Sequence, residues 1–188
     1  MQLELEFAKI GIQGYNYILM RRYAAIVLIA FLFFVNSCSV RKSYDYGDIL
    51  VRRAVDGDTL VLESAERVRL IGIDTPEMHM SNKLYREAKR TKTDIQTIMT
   101  LGRKAYEFTR NLVEGKRVRL EFDVERYDKY GRLLCYVYLK DGTFVNAKII
   151  QEGYASLLTI PPNVKYVDLF RELYREAREN NRGLWKDK

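Results

Sequence analysis

The sequence is poor in the residues that build soft-metal and nucleotide sites. Its 188 residues include one His and two Cys, which excludes His-rich metal sites, paired-histidine phosphodiesterases and every zinc site made of clustered cysteines. No G-x-x-x-x-G-K-[ST] string is present, so a P-loop nucleotide site is excluded as well. Hydrophobic residues make up 47% and charged residues 30% of the chain, which is typical of a globular domain and not of a disordered one.

Basic residues outnumber acidic ones, with 32 Lys+Arg against 25 Asp+Glu and a formal net charge of +7. The first 38 residues hold only three basic and two acidic residues, so nearly all of the excess follows them. A basic surface attracts polyanions such as nucleic acid and speeds encounter with them. A basic surface that only keeps the domain soluble is an equally good interpretation of charge alone.

The amino-terminal segment has the pattern of an export signal. A short basic start at residues 20–23 precedes an unbroken apolar run of twelve residues, 24–35. That run is too short to span a bilayer but has the length of a signal-peptide core. The following Val-Asn-Ser-Cys resembles a bacterial lipobox, which predicts a signal peptide over 20–37 and lipidation of Cys38. The alternatives are a plain signal peptide, an uncleaved anchor or a buried helix.

Two further segments flank this signal. Residues 1–19 contain two glutamates and do not fit the front of a signal peptide, so we interpret them as a non-native upstream extension, with translation starting at Met20. Residues 38–47 are predicted to be the lipidated cysteine and a polar tether. The folded domain is then expected over residues 48–188.

Within that domain, short strand-like runs alternate with helical segments. The patterns predict five strands and about three helices, an α+β domain built on a small barrel. The strands are expected at 48–55, 59–63, 67–73, 117–123 and 131–139. The helices are expected around 101–114, with Leu101, Ala105, Phe108 and Leu112 as its core stripe, at 145–152, and at 167–181, with Leu169, Leu173 and Ala177 on one face. Residues 81–100 are predicted to be a partly helical excursion over the barrel, and Cys135 a buried free thiol.

Three clusters of charged residues fall at predicted strand ends, where side chains converge and water can enter. They are Asp56-Gly57-Asp58-Thr59, the run from Arg69 to Asp74-Thr75-Pro76-Glu77, and Asp128-Lys129-Tyr130-Gly131-Arg132. Hydrolysis of a phosphodiester needs cations around the phosphate and an activated water. The arginines and lysine of these clusters can surround a phosphate, and their carboxylates can bind a metal ion or activate a water.

Each residue type suits a part of that chemistry. Asp58 and Asp74 offer hard oxygen ligands, which favour Ca²⁺ or Mg²⁺ over zinc or copper. Glu77 could hold or deprotonate the attacking water. Arg69 and Arg132 carry planar guanidinium groups that can bind phosphate oxygens in pairs. Taken singly, each could instead be a turn former, a helix-start carboxylate or a surface ion pair.

In this order, the three motifs D-G-D-T, R-x4-D-T-P-E and D-K-Y-G-R resemble those of the thermonuclease, or staphylococcal nuclease-like, family, and the resemblance runs from about Asp48 to Trp185. It implies an OB-fold five-stranded barrel and Ca²⁺-dependent endo- and exonuclease cleavage of DNA and RNA that leaves 3′-phosphates. It also implies that the carbonyl of Thr75 is a third metal ligand, that Glu77 is the general base, and that Lys129 and Tyr130 contact a terminal phosphate.

One departure from the family concerns the segment after residues 153–155. The family often carries tyrosines there that border the nucleotide, whereas this chain has Ser156-Leu157-Leu158. Tyr127, Tyr130 and Tyr166 are the candidates for aromatic surface in their place.

Two other functions remain open from sequence alone. One is a non-catalytic nucleic-acid-binding OB module at the cell envelope, and the other is an envelope lipoprotein with a structural role. We expect a monomer that acts on single-stranded or frayed DNA and RNA. We also expect it to be exported and held at the cell envelope through Cys38, the alternatives being secretion or an uncleaved anchor.

Overall fold

The computed structural model describes residues 44–186. They contain seven β-strands, four α-helices and a short 3₁₀ helix. The strands are β1 (Ile49–Ala54), β2 (Thr59–Leu62), β3 (Arg67–Leu70), β4 (Gly72–Asp74), β5 (Arg117–Glu121), β6 (Leu133–Leu139) and β7 (Ser156–Leu158). The helices are α1 (Asn82–Thr91), α2 (Ile95–Val113), α3 (Val145–Gln151) and α4 (Val167–Glu179), and the 3₁₀ helix is Gly183–Trp185.

Five of the strands form a closed barrel in the order β1-β2-β3-β6-β5. β1 pairs antiparallel with both β2 and β5, and the pair of β3 with β6 is parallel. The inward side chains alternate with outward ones, as in β5, where Val118 and Leu120 are buried between exposed Arg117 and Arg119. The prediction of an α+β OB-fold with a five-stranded barrel is confirmed.

Two adjacent residues of β6 are buried on opposite faces of the strand, Cys135 among the aliphatic side chains of the barrel interior and Tyr136 against Phe144 and Phe170 outside it. Cys135 is a buried free thiol, as predicted, and burial raises its pKa well above the ordinary thiol value. Tyr136 is also buried, and its hydroxyl donates to Asp123 at 3.0 Å. A buried tyrosine keeps such a partner because an unpaired hydroxyl would be costly.

The structure has one α-helix more than the three expected, because the excursion after residue 81 contains a complete helix. Ser81 caps α1 by accepting from the backbone N–H of Leu84 at 3.1 Å. The side chain of Leu84 is fully buried and anchors the helix. α1 ends at Lys92, whose backbone is left-handed. One buried leucine on a charged helix is a weak hydropathy signal, so the sequence predicts only a partly helical segment there.

The predicted core stripe of α2 is rotated by about one residue. Of its predicted members only Ala105 is fully buried, whereas the buried positions are Ile98, Gly102, Ala105, Thr109 and Val113. Small residues dominate this face because α2 approaches the barrel closely, and hydropathy alone does not identify them. On α4 the expectation for Leu169 is wrong, since it is 39% exposed and Phe170 is buried in its place.

The predicted strand over 67–73 is broken at Ile71, and the pairing of β4 with β7 was not anticipated. The buried amide of Asn146 fills the break: its Nδ2 donates to the carbonyls of Ile71 at 2.9 Å and Cys135 at 3.3 Å. Its Oδ1 accepts from the N–H of Val137 at 3.0 Å. The break turns β4 out of the barrel, so that Asp74 lies opposite Ser156 of β7.

The predicted extension, signal peptide and lipidated Cys38 lie outside the described residues. Tyr46, within the predicted tether, packs on the core and its hydroxyl donates to both carboxylate oxygens of Glu66, at 2.8 and 2.9 Å. Packing therefore begins slightly before residue 48. Among the helices of residues 44–186, none has the length and apolar character needed to cross a membrane.

Two glycines hold the segment that follows β4. A Cβ on Gly57 would lie 2.6 Å from the Thr75 side chain, and a Cβ on Gly102 would lie 2.6 Å from the backbone of Glu77. Both distances are too short for a Cβ, so any larger residue would force the Thr75 side chain or the Glu77 backbone to shift. The turn before β2 and the helix α2 thus fix residues 75–77 from two sides.

We expect Gly102→Ala to destabilise the domain by roughly 1–3 kcal/mol, because the added methyl group overpacks against the backbone of Glu77. In an open helix the same change would stabilise by about 1 kcal/mol, so the sign of the effect is diagnostic. The measurement is urea unfolding, with Thr100→Ala on the exposed face of α2 as the control. An increase in unfolding free energy for Gly102→Ala would contradict the close approach.

Candidate active site

A cleft of about 540 Å³ opens at one end of the barrel. One wall is formed by the turn before β2, the ends of β3 and β4, and the start of α1. The other wall comes from the loop before β6 and the segment after β7. Eight of the nine predicted residues, all but Cys38, lie in the described part of the chain. Seven of these eight line the cleft: Asp58, Arg69, Asp74, Glu77, Lys129, Tyr130 and Arg132.

Asp58 is the buried centre of the acidic wall, only 4% exposed. Its Oδ2 accepts from the backbone N–H of Thr75 at 2.9 Å and from the Thr75 hydroxyl at 3.2 Å. Its Oδ1 forms an ion pair with Arg69 Nη1 at 2.5 Å. Burial alone would raise the pKa of Asp58, but the Arg69 guanidinium and the Thr75 N–H outweigh it and hold that pKa below its ordinary value.

Arg69 connects the two predicted metal ligands. Its Nη2 donates to Asp74 Oδ1 at 3.1 Å, while Nη1 contacts Asp58. The Arg69 side chain is only 12% exposed, so both contacts are largely shielded from bulk water. The predicted phosphate-binding arginine is therefore also the group that brings the acids of β4 and of the turn before β2 together.

Lys83, which the sequence did not single out, contacts two site carboxylates. Its Nζ lies 2.9 Å from Asp74 Oδ1 and 2.8 Å from Glu77 Oε1. The Ser81 hydroxyl donates to the other Glu77 oxygen at 3.3 Å. Burial alone would lower the pKa of Lys83, but the charge of Asp74 and the bond to Glu77 raise it above the ordinary value. A single lysine on a basic helix gives no sequence signal for such a role.

Asp56 is a second residue to which the sequence analysis assigned no role of its own, although it belongs to the first charged cluster. Its Oδ1 accepts from the backbone N–H of Asp58 at 3.0 Å, and its side chain lines the cleft. Burial, followed by the nearby charge of Asp58, raises the pKa of Asp56 to about 7. The D-G-D motif could have indicated this position of Asp56, because Asp56 lies only two residues before the predicted ligand Asp58.

The opposite wall carries the second arginine. Asp128 holds Arg132 through Nε at 2.7 Å and Nη2 at 2.6 Å, and also accepts from its backbone N–H at 3.0 Å. These contacts fix the direction of the guanidinium. Lys129 and Tyr130 lie at the exposed tip of the same loop, where Tyr130 is 72% exposed.

Apolar side chains complete the cleft where the family often has tyrosines. Leu158 and Ile160 line it and are 37% and 61% exposed. Tyr127 lines it as well, so it and Tyr130 can provide aromatic surface. Tyr166 cannot, because it packs in an aromatic cluster with Tyr136 and its hydroxyl donates to Glu121 at 2.8 Å.

The donor set of the acidic wall fits a hard cation. Asp58, Asp74 and Asp56 offer carboxylate oxygens, and the backbone of Thr75 adjoins them. Within residues 44–186, no group of three or more His, Cys, Asp or Glu side chains has the arrangement of a complete metal cage. An ion bound here would therefore need backbone, water or substrate oxygens to fill its coordination shell, which Ca²⁺ and Mg²⁺ accept.

Comparison with known proteins identifies the same family as the motifs. Residues 67–187 match the family model described as staphylococcal nuclease homologue. The chain is 41% identical over 140 residues to a thermonuclease of Staphylococcus intermedius, covering 73% of this chain and 75% of that protein.

Two further relatives extend the comparison. A thermonuclease of Staphylococcus hyicus is 32% identical over 140 residues, again 73% of this chain and 75% of the relative. The endonuclease YncB of Bacillus subtilis is 35% identical over 143 residues, 73% of this chain and 61% of the relative. Since the family model covers more than half of the chain, and a relative above 30% identity is matched over most of both lengths, the chain belongs to the staphylococcal nuclease family.

Proposed function

We propose that this nuclease, a phosphodiester hydrolase by its family, is a Ca²⁺-dependent endo- and exonuclease acting on DNA and RNA. The observation that carries the proposal is the convergence of Asp58, Asp74, Arg69 and Arg132 on one cleft. The side chains of that cleft that can bind a metal are carboxylates, and His79, which lines a small pocket with Asp58 and Thr75, is a single nitrogen donor that cannot build a zinc site. Oxygen donors favour Ca²⁺ over softer metals.

The ion would be held by Asp58, Asp74 and the carbonyl of Thr75. When bound, it supplies positive charge that neutralises the phosphate and favours ionisation of a nearby water. Oδ2 of Asp58 is kept in place by the two Thr75 donors, while Gly57 packs against the Thr75 side chain and Gly102 against the backbone of Pro76 and Glu77. The chain thus holds these oxygens in position before any ligand binds, which reduces the reorganisation needed for binding.

The chain's own side chains would perform the remaining steps. Glu77 accepts the proton of the attacking water, and Arg132 donates to the phosphoryl oxygens as negative charge develops on them. Arg132 is suited to this because Asp128 fixes its guanidinium direction. The water oxygen bonds to phosphorus as the bond to the 5′ oxygen breaks, leaving a 3′-phosphate and a 5′-hydroxyl protonated from solvent.

The substrate would be single-stranded or frayed. A cleft lined by exposed Tyr127, Tyr130 and Ile160 offers faces against which unpaired bases can pack, and such contacts tolerate every base. Lys129 and Tyr130 would contact a neighbouring phosphate. We propose that the enzyme works as a monomer, since one chain carries all of these groups.

The first test is degradation of single-stranded DNA by residues 39–188 in Ca²⁺ or in chelator. Asp74→Ala is expected to lower the rate by at least about 10²-fold, because a charged group at the reaction centre is lost. Asp168→Ala, whose side chain is 94% exposed on α4, is the control for loss of one carboxylate. Retained salt-sensitive DNA binding without cleavage in any divalent ion would favour the non-catalytic binding module instead.

A second test concerns the guanidinium of Arg132. Arg132→Lys keeps the charge but loses paired donation to phosphate, so we expect kcat to fall by about 10²-fold with a smaller change in KM. Arg126→Lys is the matched control, because its guanidinium lies over Phe122, 4.0 Å from the ring centroid. If kcat of Arg132→Lys stays within threefold of the wild type, Arg132 does not act in the transition state.

We also propose that the enzyme is attached to the cell envelope through lipidated Cys38. The support is the basic start, the twelve-residue apolar run and the Val-Asn-Ser-Cys string. In a bacterial host, Cys38→Ser in the full chain should shift the nuclease from the membrane fraction to the soluble one. Cys135→Ala, which leaves that string intact, should remain membrane-bound. Equal membrane retention of Cys38→Ser would favour an uncleaved anchor.

A further inference from the structure

Lys83 occupies an unusual position for a lysine on a solvent-facing helix. It lies in the first turn of α1, between the cap Ser81 and the buried anchor Leu84. These two contacts fix the start of the helix beside the acidic wall. The Lys83 side chain is 40% exposed, so its ammonium reaches the carboxylates from the solvent side and can leave without unfolding α1.

The charges around Lys83 explain why it is held there. Four carboxylates line this part of the cleft, from Asp56, Asp58, Asp74 and Glu77. Arg69 neutralises Asp58 and donates to Asp74. Lys83 is the cation that contacts both Asp74 and Glu77. Without it, Asp74 would keep only its contact with Arg69, and Glu77 would lose the ion pair with Lys83.

We propose that Lys83 is an internal counter-cation that competes with the divalent ion for Asp74. In the ion-free protein it stabilises the fold by pairing with Asp74 and Glu77, and it weakens ion binding for the same reason. This inference rests on the proposed ion site at Asp58, Asp74 and Thr75. Within that site it identifies a residue that sets the affinity for the ion without contacting it.

The competition follows from the geometry at one oxygen atom. Oδ1 of Asp74 accepts from both Lys83 and Arg69, at 2.9 and 3.1 Å. An ion that used this oxygen would meet the ammonium at close range, and two cations a few ångströms apart repel strongly. Ion binding therefore releases Lys83 into solvent, and it frees Glu77 at the same moment. The carboxylate proposed to accept the water proton thus loses its ion pair when the ion arrives.

The experiment measures ion affinity rather than activity. Ca²⁺ is titrated calorimetrically into the full domain, residues 39–188, for wild type, Lys83→Met, Lys83→Arg and Lys89→Met. Lys83→Met is expected to bind Ca²⁺ at least about tenfold more tightly, or about 1.4 kcal/mol. Lys89→Met removes the same charge from an exposed position on the same helix and should change Kd by less than about twofold, since exposed charges are screened. Lys83→Arg keeps the cation and should resemble wild type.

Two further readouts separate this role from simple structural support. In chelator, Lys83→Met should unfold at a lower temperature than wild type, and saturating Ca²⁺ should reduce that difference. If Lys83 had only a structural role, the Lys83→Met change would lower stability without increasing the affinity for Ca²⁺. In the wild-type protein, the ε-methylene NMR signal of Lys83 should shift on Ca²⁺ saturation while that of Lys89 does not. This measurement stands even if Lys83→Met folds poorly.

The outcomes distinguish this inference from the ion assignment beneath it. If wild type binds Ca²⁺ and Lys83→Met binds it equally or more weakly, the competition is overturned while the ion site stands. An unmoved Lys83 signal at Ca²⁺ saturation overturns it as well. If no form of the domain binds Ca²⁺, the ion site itself falls, and the competition falls with it.

Discussion

The ion pairs of Arg69 with Asp58 and Asp74 are the contacts on which the site depends. The two acids come from different chain segments, one before β2 and one at the end of β4, and the guanidinium holds both. Arg69 itself lies on β3, between β2 and β6 in the barrel, and is only 12% exposed. Asp58 is nearly buried, so loss of this arginine would leave its carboxylate without the ion pair that compensates its burial.

The backbone around this ion pair is arranged by steric requirements. Asn146 fills the break at Ile71 and turns β4 away from the barrel, which directs Asp74 toward the cleft rather than into the core. The close approaches at Gly57 and Gly102 then hold residues 75–77 against the turn and α2. The positions of the functional oxygens therefore depend on packing at uncharged residues as well as on the ion pairs of Arg69.

The barrel and the family could be predicted from sequence because alternating strands and ordered motifs are local signals. The seven cleft residues could be named because the motifs identify them, and the fold brings them together from separate segments. Lys83 and Asp56 were missed because their roles depend on contacts made only in the folded chain. The buried face of α2 was predicted about one residue away from its true position. Close packing there selects small residues such as Gly102, which hydropathy scales rank low. The prediction that Leu169 is buried on α4 was wrong because the neighbouring Phe170, a larger apolar side chain, fills that part of the core.

Lys83 and Arg69 show how one acidic site can meet two opposing demands. A site that binds a divalent cation needs several carboxylates close together, and such a cluster destabilises the protein whenever the ion is absent. Arg69, nearly enclosed, offsets part of that repulsion permanently, whereas Lys83, 40% exposed, offsets it in a form that can be displaced. The two residues differ in role because they differ in exposure. The ammonium of Lys83 can move into water when an ion binds, whereas the nearly enclosed guanidinium of Arg69 cannot. Affinity for the ion and stability without it are then set by the same lysine, so a change at Lys83 that improves one should weaken the other.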